Sequence, residues 1–330
     1  MSRYRVLVII AVFLASGAGA AFGDTMDGGY AGSFFQVPIG ARPTAMGGAY
    51  LALSNDGAGP LFNPAGLADL KFPLFGSSYR AMPLGRKLGY VTALFPVRNQ
   101  AVLGVHWLYA GSGSVAVRNS DGIDQGRSFS ANNHAIGVVF AKRFSDAFAA
   151  GVKMNYLAAS FPKVHAQGIS FDFGGTLYLE ELISRENRDM LPVKDIRISA
   201  AVRHVAGEYR WNSGKYAEAY TTNGLGYEQI DKVPIDGGIG ISGRLLKNKL
   251  LLATDVTKNE KQTVKFHGGA EFFIYPQLAI RAGYGDKQFG IGTGYVIKLG
   301  NQALAVDYAF ASDKVGAGTE HIFSFDLLFK

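Results

Sequence analysis

GARPTAMGGAYLALSNDGAGPLFNPAGLA, residues 40–68, decides how the rest of this chain is read. The stretch is too small in side-chain volume and too rich in glycine to be a strand or a stable helix. It ends on Asn63-Pro64-Ala65-Gly66-Leu67. Asparagine is a favoured N-cap. Proline suits the first helical position, where its missing N–H has no intrahelical partner. One short helical turn is therefore predicted there. From about Lys71 to Lys330 the chain instead reads as strand after strand. The stretch reads as a compact plug, and the remainder as the wall around it.

The composition fits a wall in a membrane. Of 330 residues, 48% are hydrophobic, only 18% are charged and 43 are glycine. Mean hydropathy is +0.09. The absence of cysteine rules out disulfides and thiolate metal or nucleophile chemistry. The net charge is +7, but the basic residues are scattered with no run or aromatic-interleaved patch, so a nucleic-acid partner is not expected.

Residues 1–23 read as a secretory signal peptide. Arg3 and Arg5 form its charged start, residues 6–14 its apolar core, and Ala18-Gly19-Ala20 its cleavage motif, with cleavage after Ala20 or Gly23. No later run approaches the roughly 20 apolar residues that a spanning helix needs. An exported, hydrophobic chain without such a helix is either a secreted β-protein or an outer-membrane barrel.

A membrane strand takes about 9–11 residues, apolar at alternate positions. About 14 segments fit that template. They are 71–80, 88–97, 100–112, 133–144, 147–159, 166–179, 194–205, 233–244, 247–258, 264–275, 277–286, 287–298, 301–311 and 319–329. Ile235, Ile239 and Ile241 share one face of the eighth, opposite Asp236, Gly238, Gly240 and Ser242. In the last, Phe323, Phe325, Leu327 and Phe329 oppose Ser324, Asp326 and Leu328. The apolar face is assigned to lipid.

A soluble sandwich shares this period; the connections favour a barrel. Short turns at Arg98-Asn99, Ser145-Asp146, Lys247-Asn248, Tyr275-Pro276-Gln277 and Gly300-Asn301 alternate with a set that includes long loops at 112–132 and 206–232. Outer-membrane barrels have short periplasmic turns and longer external loops. Residues 180–192, long and charged, break the rule on the periplasmic side. Trp107, Tyr109, Tyr156, Tyr284, Tyr308 and Phe310 fall at outer strand ends, and Phe272, Tyr295 and Phe329 toward inner ends. Two such aromatic girdles suit the two interfaces of a membrane. The C-terminal strand ends on Phe329 before Lys330, and a terminal aromatic is usual where barrel-insertion machinery recognises the last strand.

Several blocks resemble the PorV/PorQ family of bacterial outer-membrane proteins, within the FadL-like barrel superfamily. In the N-terminal stretch they are Gly40, Arg42, Met46-Gly47-Gly48-Ala49, Asn55-Asp56 and Asn63-Pro64-Ala65-Gly66-Leu67. Gly168-Ile169-Ser170-Phe171-Asp172-Phe173-Gly174 fits the middle. Near the C-terminus follow Arg281-Ala282-Gly283-Tyr284, residues 290–295, Asp307-Tyr308-Ala309-Phe310 and His321-Ile322-Phe323-Ser324-Phe325. The resemblance implies an all-β, antiparallel transmembrane barrel of about 14 strands with an N-terminal plug in its lumen. The expected division is a signal peptide at 1–23, a plug at 24–70 and an outer-membrane barrel at 71–330.

Inward positions are small: Gly238, Gly240, Gly290, Gly292, Gly294, Ala303 and Ala305. They either make room for the plug or permit curvature. Glu271 and Arg281 flank the Pro276 turn symmetrically and so oppose each other across two strands. With a two-residue turn at Gly300-Asn301, Asp307 faces Gly294, which leaves nothing between Asp307 and Arg281. Asp255 lies one strand beyond Glu271. A lumenal charge cluster of Asp255, Glu271, Arg281 and Asp307 is expected, with Arg42 of the plug as a second cation, and with Arg42 or the Asn63-Pro64 turn docked nearby. The cluster either braces the wall or binds a solute.

Enzymatic signatures are missing. The six histidines have no zinc-like spacing, and there is no Gly-x-Ser-x-Gly elbow. Neither catalysis, metal nor cofactor is expected. The leading functional expectation is passage of hydrophobic or amphipathic small molecules across the outer membrane, with the plug as gate. The alternatives are a PorV-like component that receives secreted proteins in a type IX-like system, and a structural barrel without transport. Partners on any of these readings include outer-membrane lipid.

Overall fold

Period-two alternation becomes a closed wall in the computed structural model, which describes residues 28–98, 100–162, 164–183, 191–212, 228–314, 316 and 318–330. The expected signal peptide lies outside the described residues. The strands are β1 (Leu74–Ala81), β2 (Lys87–Val97), β3 (Ala101–Gly111), β4 (Val115–Arg118), β5 (Asp124–Phe129), β6 (Asn132–Ser145), β7 (Phe148–Phe161), β8 (Val164–Tyr178) and β9 (Lys194–Val205). After them come β10 (Glu208–Asn212), β11 (Glu228–Lys232), β12 (Asp236–Leu245), β13 (Leu250–Asn259), β14 (Lys265–Tyr275), β15 (Leu278–Gly285), β16 (Gln288–Leu299), β17 (Gln302–Ser312) and β18 (Thr319–Phe329). Fourteen of these close into an antiparallel ring: β1, β2, β3, β6 to β9, and β12 to β18, with β18 returning to β1. Closure leaves the ring no free edge to be satisfied in lipid.

The two segments read from the sequence as long loops on the outer end carry short strands of their own. β4 pairs with β5 as a separate hairpin. β10 pairs with β11, and β10 also adds to the outer end of β8. Their polar, glycine-broken sequences hide the alternation that marks the ring strands.

Large apolar side chains face outward and stay exposed, as in Ile239 at 62% and Phe325 at 43%. A belt of this size is far beyond what a soluble surface carries and is what hydrocarbon requires. No helix among the described residues is long and apolar enough to cross a membrane. A closed ring with an apolar belt is the form in which strands, rather than helices, cross a membrane.

Residues 39–70 sit inside the ring. They contain a one-turn α-helix, Ala41–Ala45, and two 3-10 turns, Gly59–Leu61 and Pro64–Asp69. The last is the turn expected from the sequence: Asn63 caps it by accepting from Ala65 N at 3.0 Å, and Pro64 opens it. Helix 41–45 leans on β15 to β18, and turn 64–69 on β6 to β8, so the plug straddles the lumen.

Candidate channel and its plug

A plug with so little regular structure must find partners elsewhere for its buried backbone groups. The wall's side chains supply them. Ala41 N donates to Ser324 Oγ at 2.8 Å and Gly57 N to Asp326 Oδ2 at 3.1 Å. Tyr50 N and Leu51 N both donate to Asp255 Oδ2, at 2.6 and 2.8 Å. In the other direction, Arg80 donates to Pro38 O at 2.6 Å and Arg203 to Leu61 O at 3.1 Å. Arg80 is itself paired with Glu320.

Three of the four expected wall charges meet. Glu271 and Arg281 are register partners, as are Gly294 and Asp307. Arg281 Nε donates to Glu271 Oε1 at 2.6 Å and Nη1 to Asp307 Oδ1 at 2.5 Å. From the plug, Arg42 grips the same Glu271 through both carboxylate oxygens, at 3.0 and 2.8 Å, and reaches Asp56 at 3.1 Å. One carboxylate thus ties a plug guanidinium to a wall guanidinium, using the fixed fork that arginine offers and lysine lacks. Asp255 does not join these ion pairs. Its carboxylate is taken by the backbone N–H groups of Tyr50 and Leu51, contacts that a residue pattern cannot announce.

The inward glycines make room chiefly for this assembly. A Cβ at Gly290 would strike Thr44 O, and one at Gly294 would strike Asp307 and Arg281. On the opposite wall, Pro64 and Asn63 press on Gly151 and Gly174 in the same way. Asn63 Nδ2 donates to Leu51 O at 3.0 Å and Thr176 Oγ1 at 3.2 Å. Otherwise this side is apolar: Leu67, Ala68 and Leu70 pack on Leu94, Val102, Val139, Ala141 and Ala149. Asp69 closes its inner end, held by Arg143 at 3.2 Å, Arg197 at 2.7 Å and Tyr178 OH at 2.7 Å.

The outer half of the lumen is different again. Here Ile39, Leu88, Tyr90, Leu108, Leu157, Tyr209 and Val233 line an apolar chamber, filled by Phe34, Phe35 and Val37. Beside it the wall is irregular. β8 pairs with β9 through Phe173 and Val202, the register slips so that Phe171 meets Val205, and β10 takes over at Gln167. His204, with φ of 62°, forms the slip. A bulge re-aims side chains, and His204 follows Arg203 inward rather than alternating with it. Its N–H donates to Asp172 Oδ1 at 2.8 Å, its ring lies 4.3 Å from that of Phe35, and Asp172 also binds Lys153 at 2.6 Å. Outside the slip lies a groove of about 840 Å³ lined by Tyr156, Ile169, His204, Val233 and Ile235. Inside it, a space of about 60 Å³ is bounded by Phe35, Leu51, Arg203, His204 and Asp255. His204 therefore separates groove from lumen. Sequence reasoning missed it because the bulge breaks the period on which that reasoning rests. Arg80 and Arg203 were legible in principle, as arginines at inward strand positions. Among the described residues no group of His, Asp and Glu is arranged to hold a metal ion.

No protein-family model and no curated protein sequence matches the chain. Solved structures do. The toluene transporter TbuX of Ralstonia pickettii superposes with a TM-score of 0.62 at 14% identity, over 90% of this chain and 100% of that one. The monoaromatic hydrocarbon channel CymD gives 0.59 at 12%, over 89% and 97%. A FadL homologue of Pseudomonas aeruginosa gives 0.53 at 11%, over 89% and 98%. At these identities the likeness is one of fold: the chain shares the barrel fold of these channels.

Proposed function

We propose that this barrel carries small hydrophobic solutes across the outer membrane, without catalysis, and that the plug is its gate. The observation that carries the reading is the apolar chamber at the outer end. A general porin keeps a polar, water-filled lumen, whereas Leu88, Leu108, Leu157 and Val233 point inward here beside a register slip in the wall. TbuX and CymD, named for toluene and monoaromatic hydrocarbons, support the same solute class. The 60 Å³ behind His204 is well below the roughly 150 Å³ that admits a benzene ring. Passage therefore requires Phe35 and its neighbours to move. The test is accumulation of labelled toluene by cells lacking other hydrocarbon channels. Expression of the chain should speed it, and Leu108→Asp with Leu157→Asp should abolish the gain while heat-dependent gel migration is retained. Equal accumulation with and without the chain rejects the reading.

A second reading is a PorV-like partner for exported proteins. It is supported by the PorV/PorQ resemblance of residues 40–68 and by apolar residues exposed on the outer hairpins, such as Ile123 at 61% and Ile230 at 55%. On that reading an exported protein copurifies with the barrel and is lost when residues 115–129 are deleted.

A further inference from the structure

We propose that the outer mouth holds a capture site for ring-bearing solutes that carry a neutral hydrogen-bond acceptor. The inference rests on the transport reading and narrows its solute class. A cavity of about 530 Å³ opens between the N-terminal segment and the β10–β11 hairpin, with Tyr30, Phe34, Phe161, Tyr209 and Trp211 among its walls. The topology that builds it is specific. Because β10 joins β8 only at residues 165–167, Trp211 is set opposite Ala166 and Tyr209 comes onto the same inward face two residues earlier. The rings of Phe161 and Trp211 lie 5.9 Å apart and those of Tyr209 and Trp211 6.1 Å apart, spacings at which aromatic groups attract.

Such a cavity alone would take any hydrocarbon. Two donors make it selective. Tyr209 is only 1% exposed and, among the described residues, its hydroxyl has no hydrogen-bond partner; the indole N–H of Trp211 is likewise buried and has none among them. An indole N–H can only donate, and buried donors are rarely left without an acceptor. Both sit on one face of one short strand. A solute that lays its ring among the aromatics and offers an oxygen to this pair satisfies what the fold leaves open. The charged residues that line the cavity are Asp231, Lys232 and Lys261, so the excess charge is positive and gives an anionic solute a second way to bind; the neutral ether and its hydrocarbon analogue isolate the contribution of the two donors.

The chain has two tryptophans. Trp107 lies on the lipid-facing surface, so Trp107→Phe leaves Trp211 as the sole indole and a reporter of the cavity. The purified, full-length protein in nanodiscs is titrated with propylbenzene and with benzyl methyl ether, which differ by an ether oxygen in place of a methylene. Trp211 emission is read at matched free aqueous concentration. The expected result is a preference for the ether of about five- to tenfold, the worth of one or two neutral hydrogen bonds, which falls to about twofold or less in Tyr209→Phe. Equal binding of the two probes, or a preference that Tyr209→Phe leaves intact, overturns the inference while leaving hydrophobic transport in place. Binding of neither probe, together with unchanged toluene accumulation, overturns both. Should Tyr209→Phe fail to give a heat-modifiable barrel, competition of the two probes against toluene uptake in Trp211→Phe decides: loss of the ether's advantage sustains the site, and its persistence overturns it.

Discussion

The two sides of the plug are held by different physics. Helix 41–45 meets β15 to β18 through a small apolar patch, Ala41 and Ala45 on Ala309, Ala311 and Ile322, and is anchored beside it by charge: Arg42, Glu271, Arg281 and Asp307 form one chain of ion pairs, and Asp326 and Asp255 take backbone N–H groups nearby. Turn 64–69 faces β6 to β8 through Leu67, Ala68 and Leu70, with polar pins only at Asn63 and Asp69. Ion pairs in a confined space are directional, and breaking one strands its partner. Apolar contacts tolerate sliding because they have no preferred direction. If the plug gates as proposed, these properties make the charged side the hinge and the apolar side the part that yields.

The largest expected effect comes from Glu271→Ala, which strands the guanidiniums of Arg42 and Arg281 together. Loss of one partner from a buried pair costs about 3–5 kcal/mol. Residues 40–68 should become protease-sensitive while the ring still migrates as a heat-modifiable barrel. A plug that stays protected would show that the charged side is not what anchors it. Leu67→Ala, on the other side, should cost roughly 2–4 kcal/mol through a cavity under the turn. Its signature should differ: toluene uptake and single-channel current rise, whereas proteolysis of residues 40–55 does not. Arg281→Ala should give a weaker form of the Glu271 phenotype, about 1–3 kcal/mol, since Glu271 keeps Arg42. The smallest effect is assigned to Asp69→Asn, about 1 kcal/mol or less in a partly exposed ion pair. It should appear as brief current openings with no change in plug protection. If Asp69→Asn exposes the whole plug, the order of the two sides is reversed.

Much of the wall was legible because its physics is local. Alternation placed the ring strands, and counting outward from Pro276 and from Gly300-Asn301 set Glu271 against Arg281 and Asp307 against Gly294. The Asn63-Pro64 turn was legible for the same reason, since a cap is a short-range signal. What escaped depends on groups far apart in the chain or on a broken period. Asp255 binds two plug N–H groups some 200 positions away. His204 turns inward only because of the bulge that ends β9. The β4–β5 and β10–β11 hairpins lie in polar, glycine-interrupted segments where alternation is too weak to read.

Because the chain has no native cysteine, the difference between the two sides can be measured with one thiol at a time. Ala45 and Ala65 are both fully buried, the first on the charged side and the second on the apolar side. Ala45→Cys and Ala65→Cys barrels are exposed to a small maleimide with and without toluene, and labelling rates are compared. Toluene should accelerate labelling at Ala65→Cys severalfold and leave Ala45→Cys protected. Acceleration at Ala45→Cys that equals or exceeds that at Ala65→Cys, or no acceleration at either while toluene crosses the membrane, would contradict a gate that hinges on charge and yields on its apolar side.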